Sequence, residues 1–425
     1  GEPPADRYAE PRLHPDRSEI WCIRERHGGP RVVRQLVAVP IDGSGVVREL
    51  ASGSDFLASW RLAPDGSQLA WIAWDHPAMP WDGTTLRVAP IGSDGAVGVP
   101  RSVLGGPKES VLQPEWADAT TLYAVTDRSG WWNLVRVSSI RADAEPSAPE
   151  PLHPCEEEFG APLWQLGQTT YALLSSGGLA VIHGTDRNRL DVLDPGSGIL
   201  RRLDLPFTAY QSTLAARGDE VLAIAASPAR ASALVRIDTT SGRTATVRDA
   251  ATPAIDPSYL SHPTAEVLRG SGGREVHALV YPPTHPQAVA PAGERPPYIV
   301  FAHGGPTAQV TSALDLTKAY FTSRGLGVID VNYGGSAGFG RAYRQRLRGA
   351  WGVVDVEDCV SAVQALAERG AADPRRLAIR GGSAGGWTVL ACLTRTAVFA
   401  AGTSYYGVSE LVAFAAQTHD FESRY

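Results

Sequence analysis

The chain has 425 residues, with 39 Lys plus Arg and 45 Asp plus Glu, so its formal net charge at pH 7 is −6. This length exceeds one ordinary domain core and favours two domains. The sequence has no dense basic run that could bind along a nucleic-acid phosphate backbone, and no apolar run reaches the ~18 residues of a membrane-spanning helix. We therefore expect neither nucleic-acid nor membrane partners. The four cysteines are far apart and the first residues are no signal peptide, which favours a cytoplasmic protein without a metal site.

Through residue 257 the sequence is strand-like, and a tight turn recurs before an alternating apolar run. The turn is clearest at residues 15–16, 64–66 and 117–118, with weaker echoes at 166–167 and 217–219. A period of about 50 residues, made of short strands and turns, indicates propeller blades of about four strands each. We therefore predict an N-terminal all-β propeller over residues 1–257, with about five blades present.

The repeat ends at a loop-forming stretch, residues 254–258, after which strands alternate with helical segments. Strands are predicted at residues 297–302, 327–332, 377–379 and 399–405, and helices at 315–323, 353–369 and 387–393. This alternation implies a mostly parallel sheet covered by helices. Residues 258–425 are therefore predicted to form an α/β domain.

A Gly-x-Ser-x-Gly core at residues 381–385 stands between a strand-like run and a helical run. This is the layout of a nucleophile elbow, in which a tight turn lifts a serine hydroxyl above the sheet. Small neighbours at Gly381, Gly385 and Gly386 let the strand and the helix pack closely. Ser383 is the predicted nucleophile and the domain is predicted to be of the α/β-hydrolase type. The alternative, a flexible glycine-rich loop, is disfavoured by the flanking elements.

A serine nucleophile needs a base that accepts its proton and preorganised donors for the oxyanion. The backbone N–H of Ala384 follows the nucleophile, and residues 303–306 (His-Gly-Gly-Pro) follow a buried strand, where this fold places its second donor loop. We predict that the N–H groups of Gly305 and Ala384 form the oxyanion hole. His303 is interpreted as orienting the loop and not as the base; the alternative is that residues 303–306 are only a turn.

The acid and the histidine of a triad are the missing parts. In this fold they follow the serine, each after a later strand. After Ser383 the chain offers only His419 and Asp420, which are adjacent, in the wrong order and only one strand past the elbow. We therefore expect that the chain stops before the catalytic Asp and His, that Tyr425 is an interruption, and that a companion chain or a missing segment supplies them.

Four segments in order resemble the prolyl oligopeptidase family, within it the acylaminoacyl-peptidase and bacterial aminopeptidase branch: residues 303–306, 332–340, 351–358 and 381–386. Residues 75–83 and 127–133 are similar to phrases of that branch, so the resemblance covers nearly the whole chain. It implies a serine peptidase whose hydrolase domain is capped by a seven-bladed propeller that keeps large folded proteins from the serine. Five blades would leave ~100 residues missing upstream, and such a fragment should be inactive.

An aminopeptidase must hold a free α-ammonium, usually with a carboxylate. Glu422 is one candidate anchor, with a surface or ion-paired role as the alternative. The run at residues 156–158 is another, although a charge run is more often a solvated loop.

Four aromatic residues near the elbow in sequence are candidates for an apolar pocket wall, with plain core as the alternative. They are Trp387, Tyr406, Phe414 and Phe421. Other acids are interpreted as structural. Asp355, Glu357 and Asp358 suit the N-terminal dipole of a helix, whereas Asp82 and Asp127 are expected to close propeller turns.

The sequence thus predicts a serine peptidase that hydrolyses short peptides through an acyl-enzyme, as an aminopeptidase or an acylaminoacyl- or dipeptidyl-peptidase. One alternative is an esterase or lipase on the same fold, and another is a catalytically inactive propeller scaffold. No metal or organic cofactor is required. The preferred residue at the cleavage site, the choice between a free and an acylated amino terminus, and assembly into a homo-oligomer are left open.

Overall fold

The structure is a computed structural model that describes residues 5–29, 31–141, 145–250 and 255–425. In the described part before residue 251, five antiparallel sheets follow one another along the chain. The first contains β1 (Asp6–Leu13), β2 (Glu19–Arg26), β3 (Val33–Pro40) and β4 (Arg48–Ala51), and the second contains β5 (Phe56–Leu62), β6 (Gln68–Trp74), β7 (Thr85–Pro90) and β8 (Arg101–Gly105).

The third sheet contains β9 (Val111–Trp116), β10 (Leu122–Thr126), β11 (Asn133–Val137) and β12 (Glu150–Pro151). The fourth contains β13 (Tyr171–Leu173), β14 (Leu179–Gly184), β15 (Asn188–Leu193) and β16 (Leu200–Arg201). The fifth contains β17 (Ala209–Tyr210), β18 (Ala215–Arg217), β19 (Glu220–Ser227), β20 (Arg230–Asp238) and β21 (Thr244–Asp249). Successive short antiparallel sheets are consistent with the blades of a propeller.

The predicted turns explain the repeat. Residues 15–16, 64–66 and 117–118 each lie between the first two strands of a sheet, and residues 217–219 form the end of β18 and its connection to β19. The echo at residues 166–167 was placed wrongly, because in the fourth sheet the equivalent turn, at residues 174–178, joins β13 to β14. Gly167 does adopt a turn conformation, with φ +82°, but it lies in the loop that precedes β13.

The second half contains a six-stranded sheet in the order β22–β23–β25–β24–β26–β27. Its strands are β22 (Thr264–Arg269), β23 (Glu275–Tyr281), β24 (Tyr298–Ala302), β25 (Gly327–Asn332), β26 (Leu377–Gly382) and β27 (Ala401–Tyr405). The neighbouring strands β25, β24, β26 and β27 pair in parallel, as predicted. β22 and β23 were not predicted, and they add an antiparallel edge to the sheet.

The helices of this half are α1 (Leu316–Thr322), α2 (Gly340–Arg344), α3 (Val354–Glu368), α4 (Ala384–Arg395) and α5 (Leu411–Gln417), with single 3₁₀ turns at Pro257–Tyr259, Ser271–Gly273, Gln345–Leu347 and Asp420–Glu422. α3 buries Val356, Val363 and Leu366 at its predicted apolar face, in the core that also covers β24 and β25. α4 packs on β26 and β27. This packing fixes the start of α4, which is where the predicted nucleophile lies.

The predicted boundary between the two halves stays a prediction. Ala254 of the loop-forming stretch lies outside the described residues. Before it, β21 ends at Asp249; after it, a 3₁₀ turn at Pro257–Tyr259 precedes β22. Within the described ranges, no helix combines the length and the apolar character needed to cross a lipid bilayer.

Candidate active site

Ser383 lies on the turn between β26 and α4 and is exposed. Its backbone has φ +54° and ψ −123°, a conformation that residues with a side chain rarely adopt and that persists only where the surroundings enforce it. The Ser383 N–H donates to the carbonyl oxygen of Tyr405 at 3.1 Å, and its own carbonyl accepts from Trp387 at 3.2 Å. These bonds tie the turn to β27 and to the first turn of α4, as a nucleophile elbow requires.

Three glycines permit this turn because β24, β26 and α4 meet there at backbone distance. A Cβ atom at Gly385 would collide with the carbonyl oxygen of Ala302 at the end of β24, and one at Gly381 would meet the same oxygen. At Gly386 it would meet the backbone of Gly407. The close packing predicted for these glycines is therefore confirmed.

The loop at residues 303–306 begins directly after β24 and lies beside the elbow. A Cβ atom at Gly304 would lie 3.4 Å from the Cβ of Ser383 and 3.3 Å from the carbonyl oxygen of Gly382. Gly305 has φ +118° and faces Thr307 and Ala308. The structure thus brings the predicted donor loop beside the serine at Gly304, while the N–H of Gly305 as the donor stays a prediction. Ala384 is the first residue of α4.

His303 is held by the protein on both ring nitrogens. Nδ1 lies 2.7 Å from the carbonyl oxygen of Gly304, Nε2 lies 2.7 Å from the hydroxyl oxygen of Ser336, and the ring stacks on Tyr333 with centroids 4.4 Å apart. Burial lowers the pKa of His303, and Nδ1 carries a proton because the Gly304 carbonyl can only accept; the Ser336 hydroxyl also donates to the carbonyl oxygen of Tyr333 at 2.7 Å. This arrangement is that of a residue that orients the loop, as interpreted from the sequence.

A cleft of about 810 Å³ opens over the elbow. Its walls include Ser383, His303, Gly304, Arg380 and Tyr406. The ring of Tyr406 is 88% exposed, so it is available to a bound molecule. Of the four aromatic candidates, Tyr406 is therefore the one that the structure brings to the wall of the serine cleft.

A second cleft of about 500 Å³ lies between the two halves and is lined by Glu422 and Phe414, together with Thr307 and Trp351. The 303–307 loop thus contributes to both clefts, because His303 and Gly304 line the first and Thr307 lines the second. The Glu422 carboxylate accepts from the Thr418 hydroxyl at 3.1 Å.

The remaining two aromatic candidates lie elsewhere. The Phe421 ring lies 5.6 Å from Phe56 and 6.0 Å from Trp164, among aromatic rings of the first half. Trp387 lies on α4 and packs against Gly352, where an added Cβ atom would lie 3.1 Å from the indole nitrogen. Phe421 packs against the apolar core of the first half, which agrees with the core alternative, whereas Trp387 is half-buried and its role stays open.

His419 and Asp420 have partners away from the elbow. Asp420 pairs with Arg34 at 2.7 Å and lies 3.3 Å from Nε2 of His76, while His419 lies 3.2 Å from Glu422. Their exclusion from the triad agrees with these contacts. Among the described residues, no group of three or more His, Cys, Asp or Glu side chains is arranged to hold a metal ion.

The acids at the start of α3 have structural contacts. The Asp355 carboxylate accepts from the Gly352 N–H at 2.7 Å and from the Thr388 hydroxyl at 2.6 Å. Asp358 accepts from the Gly334 N–H at 2.8 Å. Burial raises the pKa of both carboxyls, and the contacts join α3 to α4 and to the turn after β25. We therefore assign these acids to the scaffold of the site.

A cluster of three buried charged residues and one half-buried arginine joins the two halves, and sequence reasoning missed it. This junction cluster consists of Asp127, Glu158, Arg341 and Arg344. One oxygen of Asp127 accepts from both arginines at 2.6 Å, and Glu158 accepts from the Gly340 N–H at 3.1 Å and from Arg344 at 3.5 Å. Arg344 also stacks on Trp132, at 3.8 Å.

The junction cluster corrects two interpretations. Asp127 does close a turn through its carbonyl, which accepts from the Gly130 N–H at 2.9 Å, but its carboxylate is 2% exposed and pairs with α2. The run at residues 156–158 is not simply a solvated loop, because Glu158 is 5% exposed. The signal in the sequence for this cluster was the pair Arg341 and Arg344, which lie three positions apart on the short helix α2. The turn role of Asp82 is confirmed, since its carboxylate accepts from the Met79 N–H at 3.1 Å.

The fold and the elbow define a class of protein in which successive antiparallel sheets precede an α/β-hydrolase-type sheet that carries an exposed serine. Residues 312–425 match the model of the prolyl oligopeptidase family. A structure from Mycobacterium tuberculosis, described as a puromycin-hydrolyzing peptidase, is 52% identical with a TM-score of 0.94, over 99% of this chain and 64% of that chain. The family match thus covers residues 312–425, and the whole chain is similar in sequence and fold to this peptidase structure.

Curated relatives match over shorter segments. Dipeptidyl peptidase family member 6 of Caenorhabditis elegans is 35% identical over 161 residues, which are 36% of this chain and 20% of that protein. An acylamino-acid-releasing enzyme of Arabidopsis thaliana is 41% identical over 95 residues, which are 22% of this chain and 12% of the relative. The chain thus spans less than two thirds of the proteins to which it is similar.

Proposed function

We propose that the protein to which this chain belongs is a serine peptidase that hydrolyses short peptides through an acyl-enzyme, as an aminopeptidase or an acylaminoacyl- or dipeptidyl-peptidase. The observation that carries the proposal is the exposed Ser383 in its enforced φ +54° turn, with the 303–306 loop so near that a Cβ atom added at Gly304 would lie 3.4 Å from the Cβ of Ser383. In this scheme Ser383 attacks the substrate carbonyl, and the N–H groups of Ala384 and Gly305 stabilise the oxyanion. The base passes the serine proton to the leaving amine as the C–N bond breaks, and water then hydrolyses the acyl-enzyme ester and restores the serine hydroxyl.

The proposal requires a histidine and an acid from outside residues 5–425. Support comes from His303, whose two ring nitrogens are engaged by Gly304 and Ser336, and from His419 and Asp420, which contact other partners. The similar Mycobacterium tuberculosis structure extends beyond this chain, which covers 64% of it. We further propose that the five antiparallel sheets are five blades of a seven-bladed propeller.

We propose that the substrate enters between the two halves and passes along the 303–307 loop, which contributes to the walls of both clefts. Glu422 would hold a free α-ammonium in the second cleft, and Tyr406 would contact the chain near Ser383. The free state of all four cysteines supports a reducing, cytoplasmic location.

The test uses the full-length protein. A fluorophosphonate probe reacts with an activated serine, and aminoacyl-arylamides, N-acetylated arylamides, puromycin and short-chain esters distinguish the acyl groups that are cleaved. We expect probe labelling and arylamide or puromycin hydrolysis in the wild type, and a loss of at least about 10⁴-fold in Ser383→Ala, with no change in the exposed control Ser241→Ala.

Three other outcomes would contradict the proposal. Turnover of esters alone would identify an esterase. An absence of labelling and turnover in a full-length, folded protein would identify an inactive scaffold. Substantial activity in Ser383→Ala would exclude Ser383 as the nucleophile.

A further inference from the structure

The junction cluster is connected to the donor loop by a short chain of contacts. Gly340, whose N–H binds Glu158, opens α2, and the carbonyl oxygen of Tyr343 in α2 accepts from the Gly335 N–H at 3.0 Å. The turn at residues 333–337 is therefore bound at one end by a helix that the first half of the molecule holds through Asp127 and Glu158.

The same turn holds the 303–308 loop at three points. The Tyr333 hydroxyl donates to the carbonyl oxygen of His303 at 2.7 Å, and the Ser336 hydroxyl lies 2.7 Å from Nε2 of that ring. The Ala337 N–H donates to the carbonyl oxygen of Ala308 at 2.9 Å. These contacts fix both ends of the segment that contains Gly304 and Gly305.

We propose that Asp127 and Glu158 are positioning residues for the reaction: through α2 and the 333–337 turn, they set the distance of the 304–305 loop from Ser383. The inference rests on the proposed function, because the loop matters as an oxyanion donor only if Ser383 is the nucleophile. A carboxylate of the first half thereby acts on the chemistry without contact to the substrate.

Buried charge makes this connection stiff. Asp127 and Glu158 are 2% and 5% exposed and Arg344 is 4% exposed, so no water replaces a lost partner and the arginine must follow the carboxylates. An exposed ion pair in the same place would exchange its hydrogen bonds with water, so it would transmit little of a displacement from the first half to α2. A shift of about 1 Å in a catalytic group reduces the rate about 10²-fold, so a partial displacement of α2 is sufficient to be measured.

The test compares two ligands of the full-length protein. A peptide aldehyde forms a tetrahedral adduct with the serine and needs the oxyanion donors, whereas the corresponding product peptide binds without forming an oxyanion. In Asp127→Asn and Glu158→Gln we expect aldehyde binding and kcat to fall about tenfold or more, while product binding changes less than about twofold. The control is Asp249→Asn, which removes a carboxylate of the first half paired with Arg230 at the surface.

Ser336→Ala gives a second, independent entry to the same connection and removes only a hydroxyl, so it serves where the charge variants fold poorly. We expect the same selective loss of aldehyde affinity. Equal losses for aldehyde and product, or no loss in any of the three variants, would overturn the inference while an active wild type preserves the proposed function. A wild type that forms no aldehyde adduct would overturn both.

Discussion

The nucleophile elbow and the junction cluster differ in how far apart their parts lie in the sequence. The elbow is assembled from residues 381–386, and its geometry follows from the backbone conformation of Ser383 and from glycines at positions that have no room for a side chain. The junction cluster joins Arg344 to Asp127 and Glu158, which are 217 and 186 positions away. Local steric constraints therefore shape the turn that carries Ser383, whereas buried charges far apart in the sequence hold the two halves of the molecule together.

The largest expected effect on stability is at the junction cluster. In Arg344→Met the Asp127 and Glu158 carboxylates lose a buried partner, so we expect a loss of about 3–5 kcal/mol in the free energy of unfolding at pH 7. Burial raises the pKa of both carboxyls, so each binds a proton more tightly in the folded than in the unfolded protein. The loss should therefore shrink as the pH falls from 7 towards about 5.

Urea unfolding of the wild type and Arg344→Met across this pH range provides the measurement. Arg230→Met, which removes an exposed partner of Asp249, is the control and should change the midpoint little. A pH-independent difference between wild type and Arg344→Met would show that the loss does not come from the two buried carboxylates that lack Arg344.

The elbow can be tested with a single methyl group. In Gly385→Ala the new Cβ collides with the carbonyl oxygen of Ala302, so β24 and α4 must separate, at a cost of about 1–3 kcal/mol. We also expect slower labelling of Ser383 by a fluorophosphonate. In the control Gly29→Ala the nearest atom lies at an ordinary 3.5 Å, and a loss there as large as at Gly385 would show that the elbow has no special steric demand.

Glu422→Gln tests whether the second cleft recognises the substrate. Because an amide does not pair with an α-ammonium as a carboxylate does, we expect kcat/KM for free-amine arylamides to fall about tenfold, which is about 1.4 kcal/mol. N-acetylated arylamides should be unaffected. The exposed Glu368→Gln serves as the control, and equal losses for both substrate types would exclude Glu422 as the anchor.

The smallest expected effect concerns the contact of Asp420 with the first half. Burial alone would raise the pKa of Asp420, but the hydrogen bond and charge of Arg34, with His76, lower it below its usual value. A depressed folded-state pKa stabilises the protein above the unfolded value and loses this effect as the pH falls through the folded one. We expect Asp420→Asn to cost about 0.5–1 kcal/mol at pH 7 and less at about pH 3, below the ordinary pKa of 3.8.

Thermal unfolding at these two pH values, with Asp249→Asn as the control, gives the measurement. A difference that persists in full at the acidic value would show that the Asn side chain disturbs the packing of the 420–422 turn, and not only the ion pair with Arg34.

Several parts of the site could be predicted because their signals are short-range. Residues 376–387 predict a strand, a turn and a helix, and the observed β26, Ser383 and α4 follow them. The role of His303 could also be predicted from the sequence. A histidine that directly follows a buried strand and precedes two glycines can hydrogen-bond the backbone of its own loop, as His303 does with Gly304. The proximity of Gly304 to Ser383 needed the structure, because it depends on the register of β24 against β26.

The order of antiparallel and α/β halves, the elbow at Ser383 and the apolar face of α3 follow from the amino-acid sequence, because each depends on backbone conformation or on the spacing of apolar residues within one element. The contacts of Asp127 and Glu158 with α2 and the packing of Phe421 on Phe56 are visible only in the folded molecule. A charge or a ring has the same local signature on a solvated loop and at a junction. What separates the two is the partner that desolvates it, and that partner lies far away along the chain.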